Sequence, residues 1–170
     1  MKKYWEASYR FGLIGGIFSV LAFLVFHWMG LDPTNLSMLF GYVMIPVFVF
    51  LGIRFFKKYV NQDWLSFAEG MTIGFLIYTL FAFITAMGIW IILSFNSTLF
   101  AELKEKKLGI LESNKDMIVS KLGQESFGTT MAKVQEMVPW DIALNDFIWK
   151  MIPGLFFTII ISIILRRTNN

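Results

Sequence analysis

Charge and reactive side chains are both scarce in this sequence. Its 170 residues include no cysteine, one histidine and four prolines, and only 16% are Asp, Glu, Lys or Arg. Without cysteine there are no disulfides, zinc–thiolate sites or iron–sulfur clusters, and a lone histidine leaves little metal chemistry. A soluble domain carries about a quarter charged residues. What takes their place is apolar surface: 56% of the chain, with nineteen Phe and six Trp, at a mean hydropathy of +0.63. That is more than one water-facing core of this size can hide.

The apolar residues gather into runs. Residues 11–30 and 36–53 are free of formal charge, as are 70–95. At 1.5 Å per residue each is long enough for a hydrocarbon core of roughly 30 Å, the third with length to spare for tilt. A fourth run, 151–165, is too short alone. Extended to 147–165 it spans, provided that Lys150 either snorkels toward headgroups or pairs with Asp146 one turn back. The first run exceeds the apolar stretch of a signal peptide and ends in Phe26-His27-Trp28-Met29, with no small-x-small cleavage site, so a retained helix is expected. Pro46 and Pro153 fall inside spans and are read as simple bends.

Four spans put both termini on one side with the loop between spans two and three. Those segments hold eight basic residues (Lys2, Lys3, Arg10, Arg54, Lys57, Lys58, Arg166 and Arg167) against Glu6, Asp63 and Glu69, a net of +5; the opposite side nets −2. Short Lys/Arg-rich loops stay cytoplasmic, so N-in, C-in is expected. The basic balance is then a topology signal, and nucleic acid is not an expected partner. Trp5 and Trp64 fall at the inner interface, and Trp28, Trp140 and Trp149 at the outer one. Trp90 reaches the outer boundary only if span three tilts.

Residues 97–146 have ordinary soluble character. Span three is expected to run on into this segment with Leu99, Leu103 and Ile110 along one face. Ser113 or Asn114 is expected to cap a short helix to about Leu122. Thr129 or Thr130 would open a third helix carrying Met131, Val134 and Val138, ended by Pro139, with Asp141 capping the last span.

Candidate chemistry is thin. His27, the lone histidine, sits near the outer end of span one, and Glu69 at the inner edge of span three is the best ionisable candidate, with a cap or a salt bridge to Arg54, Lys57 or Lys58 as its plainer role. No catalytic, cofactor or metal constellation is found. No Asp, Glu, Lys or Arg falls mid-span, which argues against ion-coupled transport. Small-residue spacing is clearer: Gly12 and Gly16 on span one, and Gly70 and Gly74 on span three, form GxxxG helix-packing faces. Packing within the chain is favoured over packing between copies.

The order of features resembles a family of bacterial membrane proteins, domain of unknown function family 4199, frequent in Bacteroidota. Span two ends in Gly52-Ile53-Arg54-Phe55-Phe56-Lys57-Lys58, and span three starts at Leu65-Ser66-Phe67-Ala68-Glu69-Gly70-Met71-Thr72-Ile73-Gly74-Phe75. A long charged insertion and a Pro-containing span ending in Arg166-Arg167 follow. Phe67, Gly70 and Gly74 match the family register. Ala68 replaces a common Gly, and Met71-Thr72 a more usual aromatic-basic pair. The resemblance implies a four-helix inner-membrane protein and no particular reaction.

The reading is an all-α integral membrane four-helix bundle, a single domain over 1–170, with a mostly helical extracytoplasmic insertion between helices three and four. The expected function is a non-enzymatic accessory or scaffold subunit of a bacterial cell-envelope assembly in the inner membrane. Its expected partners are the lipid bilayer and an envelope protein docked on 97–146, with a homo-oligomer as a further possibility and no cofactor. The alternatives are an oligomeric channel or small transporter, and a lipid-modifying enzyme using His27 or Glu69.

Overall fold

The computed structural model describes residues 2–167. Within them the regular structure is helical: α1 Lys2–Trp28, α2 Pro33–Phe55, α3 Phe67–Phe95, α4 Ser97–Ser113, α5 Lys115–Leu122, α6 Gln124–Gln135 and α7 Pro139–Leu165. A π-helical turn, Phe56–Val60, extends α2. Four stretches, Lys2–Trp28, Pro33–Val60, Phe67–Phe95 and Pro139–Leu165, are long and apolar enough to cross a membrane. Each outruns its charge-free run because polar residues at the ends continue the helix.

Local signals set the ends. Asp32 caps α2, its carboxylate accepting from the Thr34 and Asn35 backbone N–H groups, and Pro33 occupies the first helical position, where its missing N–H costs nothing. Between the π-helical turn and α3, Gln62 and Asp63 adopt positive φ values of 50° and 65°. The Asn61 amide holds this turn by donating to the Trp64 carbonyl at 2.9 Å. The Arg167 N–H donates to the Leu65 carbonyl at 2.9 Å, tying the end of α7 to the same turn.

The chain divides into two units, one comprising residues up to Ile89 and from Ala143, the other Trp90–Ile142. In the first, Ile45, Val49, Ile53, Phe56, Ile73, Ile77 and Phe81 form a buried cluster. Glycines set the helix approaches. A Cβ on Gly12 would lie 2.9 Å from the Ile77 carbonyl oxygen, and one on Gly16 3.1 Å from that of Phe81, so α1 rests on the backbone of α3. On another face of α3, a Cβ on Gly70 would collide with Ser162, and one on Gly74 with Thr158, both on α7. The Ser162 and Thr158 hydroxyls are buried without a conventional partner. Each hydroxyl occupies the space that a side chain in place of the glycine would otherwise take.

In the second unit, Leu93, Leu99, Leu103, Phe127, Met137 and Ile142 are buried. Several expectations are corrected here. Span three does not run on: α3 stops at Phe95, and the Asn96 side chain accepts from the Leu99 N–H at 3.0 Å, starting a new helix. Ile110 lies on the helical face of Leu99 and Leu103 but is 51% exposed where they are buried, so the covered part of that face stops short of it. Asn114 precedes α5 but turns its amide back to the Ile110 carbonyl instead of capping forward. Thr129 and Thr130 do not open α6, which begins at Gln124; their hydroxyls donate to the Glu125 and Ser126 carbonyls one turn back. Met137, not Val138, is the buried member of that stretch. Pro139 begins α7 instead of ending α6, and Asp141, three residues after Val138, accepts from the Val138 N–H at 2.8 Å. Trp90 and Trp140 meet edge-to-face at 6.1 Å between centroids, so the two indoles share one level.

Gly74→Ile drives new side-chain volume into Thr158 and should destabilise the bundle by about 1–3 kcal/mol. Gly109→Ala and Gly128→Ala, where nothing lies within 4 Å, should be neutral or stabilising by up to about 1 kcal/mol. Thermal melts of the three variants in one detergent make the comparison.

Candidate functional site

The most polar buried point in the first unit lies on α7. Lys150 is completely buried, and Asp146, one turn earlier on the same helix, is 5% exposed. Both carboxylate oxygens accept from the Lys150 ammonium, the Oδ2 contact at 2.6 Å. An Asp four residues before a Lys lies on the same helical face and in the favourable order for the backbone dipole. The lysine stem fills the space beside Gly41 of α2, where a Cβ would collide with its Cε and lie 3.2 Å from its Cδ. Only glycine leaves that groove open. Gly41 is eight residues past Pro33, about 12 Å along the helix, so the ammonium sits well below the end of α2.

Two neighbours add polarity. Tyr42, beside Gly41, is within electrostatic reach of Asp146. Ser37, one turn before Gly41, is fully buried with no partner for its hydroxyl. Pro46 removes the donor that the Tyr42 carbonyl would otherwise receive from within α2. The premise that no ionisable residue lies deep in a span is therefore corrected. Of the two roles open to Lys150, pairing with Asp146 is the one adopted, and snorkelling is not. Charged groups at such depth survive only when paired, since an isolated ion in a low-dielectric interior is far costlier than the pair.

Glu69 has a different task. Ser66 and Glu69 form a reciprocal capping box at the start of α3: the Glu69 N–H donates to Ser66 Oγ at 3.2 Å, and the Ser66 N–H donates to Glu69 Oε2 at 3.0 Å. The carboxylate also accepts from Asn61. Its ion pair is with Lys3 at 3.4 Å, not with Arg54, Lys57 or Lys58 as expected. Lys57 instead donates to the Leu165 carbonyl at 2.9 Å, capping the end of α7. His27 lies half-buried in the last turn of α1, remote in sequence from both clusters. No group of three metal-ligating side chains occurs among the described residues. Gly12, Gly16, Gly70 and Gly74 lie at the interhelical approaches described above.

Sequence reasoning found the Asp146–Lys150 spacing but not its depth, and it passed over Ser37, Gly41 and Tyr42. The available signal was a glycine in α2 with no GxxxG partner, on an apolar helix that must receive a lysine.

Four apolar helices, their glycine-mediated approaches and a buried intrahelical ion pair define an all-helical, multi-pass membrane protein. Within that class, the chain belongs to the family described as protein of unknown function (DUF4199), whose model matches residues 10–167. No curated protein and no solved structure matches it.

Lys150→Met or Asp146→Asn alone strands a buried charge or its binding partner and should cost about 3–5 kcal/mol. Asp146→Leu combined with Lys150→Met should restore most of that loss, read as a double-mutant cycle from detergent unfolding curves. At the other cluster, Ser66→Ala should cost about 1 kcal/mol. Glu69→Gln, which preserves the box, should change stability by less than about 1 kcal/mol.

Proposed function

We propose that this protein is a non-enzymatic accessory or scaffold subunit of a bacterial cell-envelope assembly, resident in the inner membrane. Both termini face the cytoplasm in this reading, and residues 97–146 face outward. The observation that carries it is the engagement of the polar side chains best suited to chemistry: Asp146 and Lys150 close on each other, and Glu69 holds the start of α3. Groups already committed to holding helices are poor acids, bases or nucleophiles. The charge asymmetry between the two sides supports the orientation. In the outer unit, Ile110, Met117 and Leu122 are more than half exposed, which supports a protein partner there.

A second reading, an oligomeric channel or small transporter, is favoured by one observation: an ion pair buried within a candidate span, packed on a glycine one turn from an unpartnered buried hydroxyl. The glycine faces weigh against it, because they are occupied by neighbouring helices of the same chain.

Crosslinking mass spectrometry on native membranes, with reagent at Lys104, Lys115 and Lys133, tests the first reading. A reproducible envelope partner is expected, with its crosslinks reduced at least about fivefold by Met117→Asp/Leu122→Asp, equivalent to about 1 kcal/mol or more of binding. Crosslinks confined to this chain under several growth conditions would overturn it. Selective ion or solute flux through liposomes holding the purified chain would favour the second.

A further inference from the structure

One end of the first unit concentrates cations that form no ion pair among the described residues. Arg54 is the penultimate residue of α2, and Lys57 and Lys58 follow within the π-helical turn. Arg166 and Arg167 follow α7 directly. Contacts bring these segments together: Lys57 donates to the Leu165 carbonyl, the Arg167 N–H donates to the Leu65 carbonyl, and the Arg167 guanidinium lies 5.8 Å from the centre of the Trp64 ring. Lys58 lies over the Tyr59 ring at 5.3 Å.

The acidic residues nearby do not offset this cluster. Glu69 is engaged with Lys3, Ser66 and Asn61, and Asp63 forms no ion pair with the five cations among the described residues. Arg54, Lys58, Arg166 and Arg167 are exposed, as are the Trp64 and Tyr59 rings. The topology rule needs only a count of basic residues in these loops. It does not require them to converge on one corner, unpaired with carboxylates among the described residues and faced with aromatic rings.

We propose that this corner, formed by Arg54, Lys58, Trp64, Arg166 and Arg167, binds the headgroup of an anionic phospholipid. The exposed guanidinium and ammonium groups match a phosphodiester in charge and donor count, and arginine can engage it through two parallel N–H groups. The Trp64 and Tyr59 rings suit the interfacial zone beside it, where an aromatic body is half immersed. The apolar faces of α2 and α7, ending at the same corner, lie where the acyl chains of such a lipid would run. Lys57, committed to the α7 carboxyl end, sets the geometry without taking the ligand.

Native mass spectrometry of the full chain in mild detergent, titrated with phosphatidylglycerol or with phosphatidylcholine, tests this. The wild type should prefer phosphatidylglycerol at least about tenfold, and Arg54→Gln/Lys58→Gln/Arg167→Gln should abolish the preference, at about fivefold per cation. Removing three cations elsewhere, Lys104→Gln/Lys107→Gln/Lys121→Gln, should leave it intact. Arg54→Gln alone, at an exposed side chain, should weaken phosphatidylglycerol binding about fivefold and decides the matter if the triple variant fails to fold. Equal affinity for the two lipids, or equal losses in the two triple variants, would overturn the proposal.

Discussion

Lipid tails are as apolar as leucine, so burying leucine between helices gains little there, and close backbone approach must supply the cohesion. The first unit is organised around that constraint. Helix α3 receives α1 through Gly12 and Gly16, and it offers Gly70 and Gly74 to Thr158 and Ser162 of α7. Gly154 of α7 meets Tyr78 of α3, and Gly52 of α2 meets Ile77. Each contact lets two helix axes come nearer than side chains with a Cβ would permit. The large residues then fill what remains, with Ile73, Ile77 and Phe81 wholly buried while Phe75 and Phe83 on the same helix are about half exposed. A protein in water would hide those rings; here their exposure is consistent with contact with lipid.

The ion pair obeys the same constraint from the polar side. Lys150 enters an apolar bundle because its countercharge is carried on its own helix and because α2 presents a glycine to its stem. Unlike the capping box at Glu69, which works at a helix end with partly exposed partners, this pair has little solvent to share its charge. The two clusters show one functional group put to two uses: a carboxylate that starts a helix and one that makes a lysine tolerable within another.

Much of the membrane part was legible because hydropathy is a long-range average. Four runs, their approximate limits and the glycine spacing could be read directly. The short outer helices were less legible, since their ends depend on single side chains. Asn96 looks like a weak polar interruption, yet its side-chain oxygen captures the Leu99 N–H and divides one expected helix into two. Thr129 and Thr130 resemble caps, but a threonine inside a helix satisfies itself on the preceding turn just as readily. Asp141 carries a cap signal that is correct in kind and misplaced by three residues, because the pattern does not say which end of the box it occupies. The depth of Lys150 was hard to read because it depends on which residue of a distant helix faces it, and a lone glycine such as Gly41 does not say which side chain it receives.

The four-residue separation of Asp146 and Lys150 has a consequence for biogenesis. Their neutralisation needs only one turn of helix, which can form in the ribosomal exit tunnel, and no tertiary partner. A pair closed within one turn makes lateral release of this segment into the bilayer less costly than release of two separate charges, although the desolvation of the pair remains to be met. The socket beside Gly41 then has to accept one lysine stem already paired on its own helix.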